Sequence, residues 1–501
     1  MPMVSSLKKL CFLAGIAAVI VGVGCGGSGV ILSHQTGNFT NASFKGSYVF
    51  QLHGFLGDGS PYRELGIVTS DGNGNITGGV DNVATIGIGA PSQSTAVTGT
   101  YSISSDGTGQ ALLNSSALGI LVGSPGGQIT LGITLASTST VELMEADVFA
   151  VGSGVGDLQD STAAATTPSG TFVFRLHDEA NPQAASESEV GLFNISGGAV
   201  SGSFDEGLIS SGSSLTISSG NITQPSSIGV GTITFTDSAS VTTSLLYCVV
   251  NSTRLVLLGA SSGLVGSGSA EAQSGSVASG LSGTYAFGSR GDDVTSDAAL
   301  ATVGQFTASG STISSGALDA MQDGNYTGTT SFTGNPVGSP SAQGRVAVTL
   351  STGQTMVLWL VSPARAFFLF ENESAAEDGT ADLQTGSPFS ASTIKGQYAL
   401  GMDGVDFVNS QALARVGTMQ FDGSGKISLV ELSNSSIGGP QSPGPLAGKY
   451  QVGGSGRITT QITGTNGSGP DLVMYAVSSS QAYALQNDPG ENTSGIIQLQ
   501  Q

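Results

Sequence analysis

The chain is poor in charge, cysteine, histidine and tryptophan, and each shortage removes a class of explanation. Charged residues make up 10% of its 501 residues, against about 25% in an average soluble domain. Basic residues are the scarcer kind: 14 Lys and Arg face 35 Asp and Glu, for a formal charge of −21. A surface with that balance repels phosphate backbones, so no nucleic-acid partner is expected. Cys11, Cys25 and Cys248 are too few for a disulfide framework. His34, His53 and His177 are the only histidines, and they occur in no zinc-binding spacing. Helical periodicity is missing as well, since only residues 10–24 form an apolar run of helix length. Mean hydropathy is nevertheless +0.18, unlike that of a disordered polar chain. Glycine is what abounds, with 77 residues among many Ser and Thr, as short strands joined by tight turns require.

An internal repeat organises these residues. A Gly-x-aromatic opening occurs as FKGSYVF, PSGTFVF, LSGTYAF and IKGQYAL, with Gly46, Gly170, Gly283 and Gly396 spaced by 124, 113 and 113 residues. A second marker keeps step, its glycines Gly66, Gly191, Gly304 and Gly417 being spaced by 125, 113 and 113. Each copy ends in an apolar strand and a short segment closing on Gln159, Gln273, Gln384 or Gln498. Two markers sharing one domain-sized period imply duplication into four tandem units. The expected units are residues 44–159, 168–273, 281–384 and 394–501, preceded by a flexible tether over 25–43. Residues 160–167, 274–280 and 385–393 are small, polar and nearly uncharged, as linkers are.

Within the first copy, eight strand-like runs start near Tyr48, Leu65, Asn75, Thr95, Gln110, Gln128, Thr140 and Val155. Turn chemistry such as Asp71-Gly72-Asn73-Gly74 separates most of them. Eight short antiparallel strands predict an all-β fold of four domains, each a closed up-and-down barrel. With its Gly-x-Tyr first strand, each unit resembles small lipocalin-like or avidin-like barrels. An immunoglobulin-like β-sandwich is the alternative.

Lys8 and Lys9 precede the apolar run of residues 10–24, which is too short for a membrane span and suits an export signal. Gly22-Val23-Gly24-Cys25 resembles the cleavage site of bacterial lipoproteins, although that family usually has Leu, Val or Ile where Gly22 stands. The resemblance implies residues 1–24 as the signal, lipid attachment at Cys25 and, from Gly26 in second place, an outer-membrane address in the cell envelope. An ordinary secretory signal is the alternative.

Candidate chemistry is sparse. His53 and His177 hold one position in their repeats, seven residues after the first glycine, and Arg290 and Asp403 hold it in the other two. They are the candidate ligand contacts, the alternative being an exposed strand end. The Asp71–Asn75 turn has calcium-like spacing but lacks a glutamate twelve residues along the loop, and repeat four has Lys426 in its equivalent. Glu142, Glu145 and Asp147, or Glu371 and Glu373, could supply a carboxylate pair for glycoside hydrolysis, but neither cluster recurs across the copies. Cys248 and Trp359 fall in apolar runs; Cys248 reads as a buried small hydrophobe and Trp359 as core of repeat three. No catalytic set, metal or cofactor is expected. The reading is a structural or surface-interaction module, a string of four domains meeting a surface protein or a glycan. Its alternative is a binder of small apolar ligands inside the barrels.

Overall fold

The computed structural model describes residues 37–86, 95–117, 127–179, 186–207, 214–259, 265–293, 298–372, 375–463 and 469–501. Residues 1–24, expected to be an export signal, and Cys25, His34 and Glu373 lie outside them. The fold is all-β: four barrels follow one another, each of eight antiparallel strands in chain order, with the first strand hydrogen-bonded to the last. Closure removes the sandwich alternative. In barrel 1 the strands are Lys45–Leu56, Pro61–Asp71, Asn75–Thr85, Thr95–Ile103, Thr108–Ser115, Gln128–Leu135, Thr140–Glu145 and Ala150–Leu158. First strands of the later barrels are Gly170–Glu179, Leu281–Asp293 and Lys395–Asp406.

Both glycine markers have a steric cause. Gly46, Gly170, Gly283 and Gly396 start the first strands at φ of +123°, +105°, +116° and +113°, a region that side chains avoid. In barrels 1 and 3 the second marker makes room for the first strand's aromatic residue. A Cβ on Gly66 would lie 2.4 Å from the Phe50 ring, and one on Gly304 would lie 2.6 Å from Phe287. Marker tyrosines reach the turn between the sixth and seventh strands of their own barrel, Tyr48 Oη donating to Thr138 O and Tyr285 Oη to Pro363 O, both at 2.6 Å.

Alternation fills each barrel with its own inward side chains. Barrel 2 is packed by Phe174, Phe193, Phe204 and Phe235, whose ring centroids lie 4.0–6.1 Å apart. The space left inside barrel 1 is about 20 Å³.

The four barrels are not a string. The first and second strands of each barrel pack on the sixth to eighth strands of the next, and barrel 4 meets barrel 1 in the same way. Four apolar seams result. Val49, Leu65 and Ile67 pack on Cys248, Val256 and Leu258 between barrels 1 and 2. Val173 and Leu192 pack on Val357, Trp359 and Leu369 between barrels 2 and 3. Val303 and Met321 pack on Val473, Tyr475 and Leu485 between barrels 3 and 4, and Ala414 and Val416 pack on Met144 and Val151 between barrels 4 and 1. Head-to-tail contacts of this kind close a ring when the rotation fits. Trp359 and Cys248 therefore sit buried on outer barrel faces, in seams, so Trp359 is not in the repeat core to which the sequence assigned it.

A glutamine clasp marks every seam. The side-chain amide of Gln159 donates to Ile228 O and Val249 O of barrel 2, and those of Gln273 and Gln384 do the same to barrels 3 and 4. In repeat four the equivalent is Gln500, not Gln498: its amide donates to Asp106 O and Leu135 O of barrel 1, at 2.9 and 2.7 Å. Backbone bonds repeat the pattern, from Asp160 N to Val250 O, Ser274 N to Val361 O, Thr385 N to Val477 O and Gln501 N to Ala136 O. The first linker adds a short helix, Ser161–Ala164, capped by the Asp160 carboxylate.

Equivalent seam positions carry unlike solutions. Five residues after the first glycine, Gln51 donates to Leu257 O at 2.9 Å, whereas Arg175 lies over the Phe367 ring. Gly288 and Gly401 occupy that position under Tyr483 and Glu142. A Cβ on Gly288 would lie 2.6 Å from Tyr483 Cδ1, and the Tyr483 hydroxyl is held by Asp382 at 2.6 Å. Gly288→Ala is expected to lose about 1–3 kcal/mol by overpacking. Denaturant midpoints of the two proteins check this, and unchanged midpoints would show the seam to be loose.

Candidate functional site

The ring encloses a polar cleft of about 710 Å³ on its axis, lined by all four barrels. The four equivalent residues His53, His177, Arg290 and Asp403 all face it. They are brought together because the first strand of every barrel lies innermost, so a residue seven past the marker glycine looks across the axis. These positions are not exposed strand ends: the His53, His177 and Asp403 side chains are only 14–16% accessible.

Two ion networks bridge the barrels. In one, Asp403 Oδ2 lies 2.9 Å from His53 Nε2, while Asp403 Oδ1 accepts from Ser153 Oγ at 2.7 Å and Arg290 Nη1 at 3.1 Å. Burial and the Arg290 guanidinium push His53 down to about 4, so the ring is neutral at pH 7 and donates its Nε2 proton to Asp403. Burial alone would raise Asp403, but His53, Arg290 and Ser153 hold it well below the usual carboxylate range. In the other network, Asp378 accepts from Arg175 Nη1 at 2.9 Å and Ser188 Oγ at 2.9 Å, with His177 Nδ1 at 2.7 Å. Asp378 is held low in the same manner against its burial.

A third layer lies toward the clasps. Arg365 pairs with Glu271 across a seam and with Asp382 in its own barrel, both at 2.8 Å, and Arg254 reaches Asp157 at 2.9 Å. Five of the eight arginines in the sequence line this one cleft, although the chain as a whole is acidic. Sequence reasoning missed Arg175, Arg254, Arg365 and Asp378. The signal that could have found them is this scarcity: half of the eight arginines fall on first and seventh strands.

The other sequence candidates are not assembled into sites. Asp71 accepts hydrogen bonds from the Asn73 and Asn75 amides and the Asn75 side chain, which lowers it to about 2 and uses its carboxylate to close the turn. Glu142 and Glu145 are separated by the barrel wall, because residues three apart on a strand face opposite sides. Glu142 lies in the seam beside Gly401, and burial with nearby Asp157 raises it to about 8. Glu145 faces into barrel 1 near Glu64 and Asp81, all three at most 1% exposed. Their carboxylate oxygens have no hydrogen-bond partner among the described residues. Burial and their mutual repulsion raise Glu64 well above the usual range and, with Asp147, Glu145 too. No protein-family profile matches the chain, and no curated protein matches it.

Proposed function

We propose that the chain is an exported, lipid-anchored protein of the bacterial cell envelope that acts as a binding module, with the axial cleft as its ligand site. The observation that carries this reading is the convergence of His53, His177, Arg290 and Asp403, one from each copy, on a single cleft. A small apolar ligand inside a barrel has no room to bind where the interior is packed, as in barrels 1 and 2. The cleft differs from those interiors in chemistry as well as in size. Arg175, Arg254, Arg290 and Arg365 are each paired with a carboxylate, so the walls offer fixed donors and acceptors. Phe55 adds apolar surface beside them. Such a lining suits a hydroxyl-rich ligand of glycan type, which needs directional hydrogen bonds more than a strong field. The anchor rests on the resemblance of residues 8–26 to lipoprotein signals.

The test uses the scarcity of histidine. Imidazole NMR resonances of His53 and His177 report directly on the cleft while envelope oligosaccharides are added. A binder is expected to shift both, and Arg290→Ala is expected to weaken it about tenfold, the order of one charge-assisted hydrogen bond. The melting temperature should stay within a few degrees. Oligosaccharides that bind without moving either resonance would place the ligand elsewhere and sink the reading.

A further inference from the structure

Barrel 2 ends in carboxylates. Asp178, Glu187 and Glu189 face inward beyond the phenylalanine core, paired in register as Glu187 with Asp178 and Glu189 with Leu176. One carboxylate oxygen of each lies within 4.8 Å of those of both others. We propose that these three side chains hold a calcium ion.

Size supports this first. Calcium binds oxygen at 2.3–2.6 Å, so oxygens on opposite sides of one ion stand about 4.6–5.2 Å apart. The observed spread fits within that sphere. The donor set is all oxygen, which suits a hard cation and not zinc. An independent observation comes from Glu189. It is 6% exposed, and its Oε2 has no hydrogen-bond partner among the described residues, so a buried acceptor is left facing the cluster. Leaving such a group unpaired is costly.

The sister barrel shows what this position needs. Glu189 in barrel 2 and Arg415 in barrel 4 are equivalent, since Leu176 pairs with the first and Met402 with the second. Arg415 Nη1 and Nη2 reach Glu431 and Glu491, both at 2.9 Å, so barrel 4 supplies its own cation. Barrel 2 has an acid in that place, with Glu206 directly across the ladder. Barrel 1 resembles barrel 2 in having Glu64 at the same place, but its trio is sealed, whereas Glu187 is only half-buried and leaves a way in.

The experiment is calcium titration of the full chain at pH 7.5 after treatment with EDTA, by calorimetry and by thermal unfolding. One ion per chain and a rise in melting temperature at millimolar calcium are expected. Glu189→Gln should weaken binding by at least about tenfold while Glu64→Gln leaves it unchanged, and Asp178→Asn provides a second route to the same loss. In EDTA, Glu189→Gln should be as stable as the parent or more so, because it removes like-charge crowding. This outcome separates lost ligation from damage to the fold. No heat and no melting shift with calcium, or equal binding by Glu189→Gln, overturns the proposal.

Discussion

Raising the pH from 5 to 8 is expected to destabilise the protein by several kcal/mol. The sign follows from the buried carboxyls. Glu142 titrates at about 8 in the folded chain, and Glu64 and Glu145 are raised well above the ordinary range, all by burial first. Unfolded glutamates lose their protons near 4.3. Between those limits the folded state binds more protons, so stability falls as pH rises. The penalty is absent below about pH 4.3 and complete above about pH 8 for Glu142, on the order of 3–5 kcal/mol from that group. His53 acts in the opposite sense: folded at about 4 against about 6.5 unfolded, it costs stability as pH falls through that window. Three carboxyls outweigh one imidazole, so the fall with pH dominates. Urea unfolding in EDTA at pH 5 and pH 8 measures it. Glu142→Gln should flatten the dependence and stabilise the pH 8 state. A parent protein equally stable at both values would show these carboxyls to be hydrated.

Asp319→Ala should cost about 3–5 kcal/mol, a loss typical of breaking one side of a buried ion pair. Asp319 is inaccessible to solvent at the seam of barrels 3 and 4. It accepts from Arg457 Nε and Nη2 at 2.8 Å each, Tyr475 Oη at 2.6 Å and Thr329 Oγ1 at 2.9 Å, as well as from Tyr326 Oη. Alanine would leave a guanidinium and two phenols without their acceptor. Most of the cost comes from that uncompensated charge, so the double variant Asp319→Ala/Arg457→Met should recover a large part of it. Denaturant unfolding of the two single variants and the double variant measures the coupling. Strict additivity would mean that Arg457 finds another partner.

The barrels were legible in the sequence because their signals are local. Alternation within strands, Asp-Gly turns and two steric glycine markers each act over a few residues. Ring closure was not legible, since it depends on the outer faces of strands that also fill a core. Its trace is present in SLLYCVV and MVLWLVS, where apolar residues run without alternation because both faces are buried. Such a run is equally consistent with any buried strand, so Cys248 was read only as buried and Trp359 was assigned to a repeat core. The site was half legible. Comparing copies found the position shared by His53, His177, Arg290 and Asp403, but a single barrel gives that position no neighbour. Only the ring turns four strand positions into one cleft. The clasp glutamine of repeat four was misplaced by two residues because Gln498 lies in the last strand and Gln500 just beyond it, and only the bonds to barrel 1 single out the second.

What Gln159, Gln273 and Gln384 do at covalent joins, Gln500 does between barrels 4 and 1, where no peptide links them. Phe39 and Gln500 also both approach Gly107, so the two ends of the folded body lie side by side. Topologically the molecule is a bracelet with its fastener at an arbitrary link. Moving the opening to another join, by connecting the present ends and cutting within residues 274–280, would give a chain of different order with the same four seams and the same cleft.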